Sequence, residues 1–381
     1  MANDWSFIAA LPNLSSQRSN RPSPYWSDVG SDLGSDTFAL VDGTHEIVSD
    51  LMQRRPAVAQ ILSSFRDEFG RSYIPSVVLA RESAPLRLRT NASAFNDFRN
   101  AIAMSCVLRG RARAASGNGQ FDASWSDTFD FHPAQLNARG GVVLQSPALL
   151  NAVHEDSALA LGGSPSLSLF SDTLHPDGYL YRCIAREWRR RYLRPARNDA
   201  YSRSLFRALE VAYHASSVGT KSLGSAVEYG TQIGSWVSAI EILAWPSNRR
   251  ANLGFVFGLF DAVNVSQALS RRRYKVVQDK RAYRVGALKS CYWKLYQARN
   301  KFLHGEPVSF STLLAHSRDE KFALTRVAAI LFRHALVAYL SKRYPHDVKL
   351  MRDMDHWILE WIDDSEYNDG LESLLGFESN R

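Results

Sequence analysis

The chain has 381 residues and a mass of 42.8 kDa, a length that predicts two domains rather than one hydrophobic core. Hydrophobic residues make up 45% of the sequence and charged residues 22%, a globular composition that excludes a disordered or fibrous protein. The net charge of +8 at pH 7 either attracts a polyanion such as nucleic acid or only provides solubility, and its distribution has to separate the two.

The N-terminal half is predicted to hold an irregular lead-in followed by a mixed α+β domain. Residues 1–45 form the lead-in, because Ser, Pro, Asn, Gly and Asp dominate most of them. Apolar residues then recur at helical spacing over 46–69, where Pro56 breaks or restarts the helix. A helix at Ala94–Leu108 and strands at YIPSVVLAR, TFDFHP and GGVVLQS complete a domain at 46–172, whose expected role is sensing or regulation.

Long helical patterns follow this mixed pattern after Gly178. Helices are predicted at about 179–193, 199–217, 221–245, 251–263, 286–304 and 318–343. Since strand-like alternation is nearly absent, an all-α bundle is the expected packing of residues 173–381. The stretch 264–285 interrupts it as a loop or an extended hairpin, and the acidic C-terminal tail from Asp353 carries apolar residues that suit a further helix.

Neither the cysteines nor the apolar segments indicate a secreted or membrane protein. Cys106, Cys183 and Cys291 are scattered, without the spacing of a disulfide framework or a metal finger. The N-terminus lacks a secretory pattern, and Arg333 and His334 interrupt the most apolar stretch before it could span a bilayer. We therefore expect a cytoplasmic protein without membrane contact.

Common catalytic signatures are missing as well. The sequence has no glycine-rich phosphate loop, HExxH helix, paired CxxC or GxSxG elbow. Its 10 histidines are dispersed, and none lies at metal-ligand spacing from another histidine or cysteine. His132, in the stretch DFHP, fits a strand end better than a metal ligand. We therefore expect neither a metal nor another cofactor.

The stretch LYQARNKFLHGEP, Leu295–Pro307, carries the strongest candidate site. At about 100° per residue, Asn300 and His304 lie on one helix face, so the amide could orient the imidazole. Tyr296 lies one turn before Asn300 on the same face. Arg299 and His304 diverge by about 140° around an ideal helix, so they do not share a face.

The end of this helix allows two interpretations of its histidine. Gly305 suits the left-handed position just after a helix, which places His304 in the last turn, and Pro307 prevents continuation. A histidine there can simply cap backbone carbonyls at the negative end of the helix. It can also exchange a proton near neutral pH, as an acid–base catalyst must.

With its surroundings, this stretch resembles the signature of HEPN domains, in particular of the Apea-like branch. In that signature a Tyr leads into Arg and a polar residue, and His-Gly follows after a short spacer. Arg299, Asn300 and His304 match the pattern with four residues between the Arg and the His. The branch also carries a Glu on an earlier helix, which the stretch WVSAIEILAW supplies as Glu241. The resemblance covers roughly residues 180–345.

The resemblance implies a metal-independent endoribonuclease of a prokaryotic toxin or antiviral defence system, or a non-catalytic module that binds nucleic acid or a partner protein. In the enzyme His304 would exchange a proton with the RNA, and Arg299, with Asn300 beside it, would hold the scissile phosphate. Paired motifs in the family imply a homodimer or higher homo-oligomer through the helical domain. Glu241 would shape the site by pairing with Arg299 or would only satisfy a buried cation, and Tyr296 would support the site.

Two basic segments with interleaved aromatic residues are candidate RNA-binding surfaces. The stretches 182–197 and 271–284 each hold seven basic residues and one acidic residue. Cations neutralise phosphates and rings stack on bases, which suits single-stranded RNA; the alternative is a solvated face that pairs with the acidic tail. We favour 271–284, because it leads directly into the motif helix. Its cations are Arg271, Arg272, Arg273, Lys275, Lys280, Arg281 and Arg284.

Overall fold

The chain forms two compact units. The first comprises Met1–Ala103 and Phe121–His175, and the second comprises Met104–Gln120 and Pro176–Arg381. Residues 104–120 thus group with the helical part of the chain, although the sequence placed them in the N-terminal domain. The computed structural model describes residues 5–14, 37–66, 70–118, 123–132, 134–136, 142–144, 174, 176–194, 196, 198–217, 225–245, 252–278, 280–306, 314–316, 321–344 and 365–376.

A three-stranded antiparallel sheet forms the centre of the first unit. Its strands are β1 (Trp5–Leu11), β2 (Phe38–Val41) and β3 (Ser76–Arg81), in the order β1-β3-β2. The strand predicted in YIPSVVLAR is confirmed as β3. The irregular lead-in predicted for 1–45 is wrong for β1 and β2, because both are short apolar runs that the polar composition of their neighbours concealed.

The sheet is buried on both faces. Ala39 and Val41 of β2 lie on one face, in a core cluster with residues of α1 (Glu46–Arg54) and α2 (Pro56–Ser63). Phe38 lies on the opposite face and meets the rings of Phe95 and Phe98 edge-to-face, with centroids 5.4 and 5.6 Å away. This alternation has the period of two that a strand imposes.

Apart from the helix Ala92–Ala115, the other described elements of the first unit are short. α2 begins at Pro56, so the predicted restart of the helix is confirmed. The described residues of TFDFHP do not form the predicted strand; its first two residues end a 3₁₀ turn at Ser126–Phe129, because Ser126 and Asp127 just before it favour a turn. The remaining elements are α3 (Leu86–Arg89), α4 (Ala92–Ala115, whose second half belongs to the second unit), β4 (Ala134–Leu136) and β5 (Val142–Leu144).

Helices dominate the second unit. Each predicted helix is present, and most begin with a side chain that accepts a backbone N–H, as Asp177, Asp199 and Ser225 do. A further helix lies in the predicted acidic tail, while the tail's tryptophans lie outside the described residues. The helices are α5 (Gly178–Tyr192), α6 (Ala200–Ala215), α7 (Ala226–Ala244), α8 (Leu253–Asp261), α9 (Gln267–Arg271), α10 (Ala287–Leu303), α11 (Leu324–Ser341) and α12 (365–374).

α11 is the core helix of the second unit. By length and composition it could cross a membrane, but 89% of it is buried inside the protein, as in a helix that other helices surround. Its charged residue Arg333 pairs with the buried Asp177 at 3.1 Å. Burial lowers the pKa of His334 to about 3, so this ring stays neutral and is compatible with the core.

Two antiparallel hairpins interrupt the helices, so the prediction of an all-α second domain is wrong in this respect. β6 (Tyr274–Gln278) and β7 (Arg281–Val285) connect α9 to α10, where the sequence left a loop or a hairpin open. β8 (Leu314–His316) and β9 (Lys321–Ala323) precede α11 and take up the start of the helix predicted at 318–343. Strands this short leave little period-two pattern in the sequence.

Candidate functional site

The motif helix α10 lies close to α7 because α7 presents glycines at the contact. A Cβ atom on Gly230 would overlap the ring of Phe302. A Cβ atom on Gly234, one turn further along α7, would lie 4.0 Å from Cγ of Arg299. The absence of these side chains gives α10 room for its large residues.

The spacing along both helices brings four residues to this contact. Gly234 and Glu241 are seven residues apart, and so are Tyr292 and Arg299. Seven residues make almost two complete turns, so each pair lies on one face of its helix. Arg299 lies next to Gly234, and Tyr292 donates a hydrogen bond to Glu241, so the two faces meet in antiparallel order.

Arg299 is half-buried at this contact. Its Nη1 donates to Oδ1 of the adjacent Asn300 at 3.1 Å, which holds the guanidinium plane in place. Its Nε is buried, and no described residue accepts a hydrogen bond from it. A buried donor without an acceptor is costly, so this atom is available to an acceptor that a ligand would bring.

Glu241 is the acidic partner of Arg299 across the contact. Burial raises the pKa of the Glu241 carboxyl, while the charge of Arg299 and the hydrogen bond from Tyr292 lower it in part. The Tyr292 hydroxyl donates to Oε1 of Glu241 at 3.4 Å. Within the described part of the chain Arg299 thus acts on Glu241 through its field, and the hydrogen bond to Glu241 comes from Tyr292.

His304 ends α10 and is exposed to solvent. Its backbone N–H donates to the carbonyl of Asn300 at 2.9 Å. Gly305 follows with φ 69°, and the N–H of Glu306 donates to the carbonyl of Lys301 at 3.0 Å. These bonds form a Schellman motif, so the predicted left-handed position of Gly305 is confirmed. The backbone N–H groups of this motif bond to the terminal carbonyls of Lys301 and Asn300, so the exposed imidazole of His304 is not required to cap them.

Only some of the predicted site residues lie together. Arg299 and Asn300 are hydrogen-bonded at the contact between α7 and α10 and the charge of Arg299 acts on Glu241, whereas His304 lies at the exposed helix end. The side chain of Asn300 accepts from Arg299 and, among the described hydrogen bonds, makes none with the imidazole of His304, which the sequence suggested as its partner. Tyr296 stacks on Trp293, with ring centroids 5.8 Å apart, and is half-buried.

Sequence reasoning missed Tyr292 and the two glycines of α7. The signal was present as seven-residue spacing, Tyr292 before Arg299 and Gly234 before Glu241. It gains meaning only when the two helices are known to be neighbours, because the contact joins residues 51 positions apart in the chain.

The predicted RNA-binding cations surround the hairpin β6–β7. All of them are exposed, and the hairpin turns at Lys280, whose φ is 65°. Lys275 pairs directly with Arg284 across the strands, which places two like charges on one face. Six of the cations have no ion pair or hydrogen bond within the described residues, while Arg272 lies close to Tyr274. The six are Arg271, Arg273, Lys275, Lys280, Arg281 and Arg284.

The rings of the other basic segment, 182–197, and some of its arginines are engaged in contacts within the protein. Its two rings, Trp188 and Tyr192, are 0% and 8% exposed, so they cannot stack on bases. Arg190 pairs with Asp199 at 3.3 Å, and Arg191 lies over the ring of Tyr192 at 5.3 Å. These contacts disfavour the interpretation of this segment as an RNA surface.

Comparison with known proteins gives no further assignment, since no family model, curated protein or solved structure matches the chain. Among the residues that the structure describes, no group of three or more His, Cys, Asp or Glu side chains could hold a metal ion. Arg299, its neighbours and the basic hairpin are the groups that indicate the chemistry of this chain.

Proposed function

We propose that the helical unit is a HEPN-type, metal-independent endoribonuclease, which acts in the cytoplasm as part of a prokaryotic toxin or antiviral defence system. The observation that carries this proposal is the arrangement at the end of α10. A guanidinium held by Asn300, whose charge acts on the Glu241 carboxyl, is followed, five residues later, by an exposed imidazole. These are the groups that metal-free RNA cleavage requires.

The proposed reaction is a transesterification. The 2′-oxygen of one nucleotide attacks the neighbouring phosphorus, and the bond from phosphorus to the 5′-oxygen breaks. A 2′,3′-cyclic phosphate and a free 5′-hydroxyl result. His304 takes the proton of the 2′-hydroxyl or returns one to the leaving oxygen, and Arg299 donates hydrogen bonds to the phosphate as its charge increases.

A second copy of the chain would complete the site. Arg299 faces α7 while His304 faces solvent, so one protomer does not direct both at a single phosphate. The contact of Gly230 with Phe302 places the start of α7 beside the end of α10. Val227 and Leu303 at this end are 63% and 58% exposed, an apolar surface that favours a homodimer through the helical unit.

The second candidate is a non-catalytic HEPN module that binds nucleic acid or a partner protein. The partial burial of Arg299 favours it, because a guanidinium held by Asn300 against α7 can have a purely structural role. Incubation with end-labelled RNA in EDTA separates the two. Cleavage by the wild type that Arg299→Ala and His304→Ala both abolish supports the enzyme, and RNA binding without cleavage supports the module.

A further inference from the structure

The basic hairpin and the Arg299/His304 motif lie at opposite ends of one helix. The hairpin ends at Val285, immediately before the start of α10, and His304 caps its far end. α10 has 17 residues, so the two features are about 25 Å apart along its axis. A cation of the hairpin therefore cannot reach a phosphate that is bound at the motif of the same chain.

The root of the hairpin is fixed to α10. Val276 is 3% exposed, and the burial of Tyr274 raises the pKa of its phenol, as does the neighbouring Cys291 of α10. Tyr274, Val276 and Tyr283 lie on one face of the ribbon by its register. Tyr274 and Val276 on this face fix the direction in which the hairpin extends from α10.

The face of the hairpin opposite Val276 is free for a ligand. Lys275 and Arg284 lie opposite each other on the face that does not carry Val276, and both are exposed. Like charges directly across a strand pair destabilise a hairpin, and no described acidic residue offsets them. An anion bound between them would remove this cost.

An exposed ring lies on the other face of the hairpin, beside another of its cations. Tyr283 is 48% exposed and lies on the same face as Arg281, two residues before it. A ring next to a cation can stack on an unpaired base while the cation binds the adjacent phosphate. Bases within a duplex are already stacked, so the exposed ring favours single-stranded over double-stranded nucleic acid.

We infer that the hairpin β6–β7 is a docking arm for the single-stranded RNA that flanks the cleaved bond, at a fixed distance from it. At about 3.4 Å per nucleotide in a stacked strand, the length of α10 corresponds to about seven nucleotides. The arm therefore binds substrate that extends at least this far from the motif and adds nothing for shorter RNA. This inference rests on the proposed function for its cleavage step, but not for RNA binding by the arm.

Binding is tested with the full-length His304→Ala variant, so that RNA stays intact. Fluorescence anisotropy of a labelled 20-nucleotide unpaired RNA is measured over a salt series, with and without Lys275→Gln and Arg284→Gln. We expect affinity to fall about tenfold and the salt slope to decrease by about 1.4, since each lost phosphate contact in a single strand contributes about 0.7. Arg87→Gln with Arg207→Gln, both exposed and remote in sequence, is the charge-matched control and should change neither quantity.

Three outcomes overturn the inference. Unchanged RNA affinity in the hairpin variant would assign these cations to another polyanion, such as an acidic protein surface. An equal loss in the control would reduce the effect to net charge. Stacking on Tyr283 predicts that Tyr283→Ala lowers the affinity for single-stranded RNA alone, by about tenfold. An equal loss of affinity for single-stranded and duplex RNA would contradict a stacking role.

The cleavage step is tested separately with substrates of different length. In the active protein, the hairpin substitutions should slow cleavage of RNA that extends more than about seven nucleotides from the cut, and should leave shorter RNA unaffected. Length-independent slowing would contradict the fixed distance. Hairpin-dependent binding without any cleavage would refute the endoribonuclease while the docking arm stands.

Discussion

The charge of Arg299 acts on the Glu241 carboxyl at the contact between α7 and α10, yet the hydrogen bond to the carboxylate comes from Tyr292. Burial raises the pKa of Glu241 although a guanidinium is near, so desolvation exceeds the attraction between the two charges. Arg299 therefore retains the capacity to bind a second anion. The phosphate of the proposed RNA substrate would be this second anion.

The raised pKa predicts how stability depends on pH at Glu241. A carboxyl that binds its proton more tightly when folded stabilises the fold fully below its ordinary pKa of 4.5, and this contribution is lost as pH rises through the folded pKa. Glu241→Gln removes the titration. Thermal unfolding of both proteins between pH 4 and 8 should show the wild type losing stability relative to the variant over this window. A Tm difference that does not change with pH would contradict the prediction.

Two glycine substitutions should have opposite effects on stability, and the first of them tests the close approach of α7 and α10. Gly230→Ala places a Cβ atom into the ring of Phe302 and should lower the free energy of unfolding by about 1–3 kcal/mol. Gly258→Ala, in α8, meets nothing within 4 Å and should raise it by up to about 1 kcal/mol through helix propensity. Urea unfolding measures both. A neutral Gly230→Ala variant would mean that α10 does not lie this close.

The network around Glu187 should be essential for stability and not for RNA binding. Glu187 is 0% exposed and accepts from Arg343 at 2.9 Å and from Tyr344 at 2.5 Å. Arg343→Ala leaves this carboxylate without its cation and should cost about 3–5 kcal/mol. The neighbouring exposed Lys342→Ala is the control and should change the unfolding free energy by less than about 0.5 kcal/mol. Equal effects of the two substitutions would show that the network is not formed.

Arg299 and His304 should both be required for activity, while the exposed His304 should contribute little to stability. His304 is exposed, so His304→Ala should change unfolding free energy by less than about 0.5 kcal/mol while reducing RNA cleavage by about 10²-fold or more. Arg299→Lys keeps the charge but loses the planar fork, and should reduce cleavage comparably. Lys301→Ala, an exposed neighbour, should retain activity. Full activity of Arg299→Lys would leave only a charge requirement at this position.

The sequence was sufficient for local structure and insufficient for contacts between distant residues. Helical periodicity located the long helices, and Gly305 was placed correctly because its left-handed conformation depends on its immediate neighbours. The strands at Trp5–Leu11 and Phe38–Val41 were missed, because their pairing with β3 is decided by residues far along the chain.

The candidate site divides in the same way. The order of Arg299, Asn300 and His304 can be read from the sequence, and so can the divergence of the first and last. The side-chain partner of Asn300 was predicted as His304 but is Arg299, because the adjacent guanidinium donates to the amide oxygen while the imidazole is exposed to solvent. Burial of Trp188 and Tyr192 could not be inferred either, since a basic helix with rings looks the same whether the rings face the core or RNA.

Cleavage of end-labelled RNA in EDTA by mixed variants is the sharpest test of a site built by Arg299 of one copy and His304 of another. Arg299→Ala and His304→Ala proteins are each assayed alone and then as an equal mixture after dissociation and reassociation of the subunits. If Arg299 of one copy and His304 of the other act on one phosphodiester, each variant is inactive and the mixture recovers about a quarter of wild-type activity, because half of the dimers carry one intact site. A wild type that does not cut RNA would refute the endoribonuclease. A mixture of exchanged subunits that stays inactive would refute the composite site.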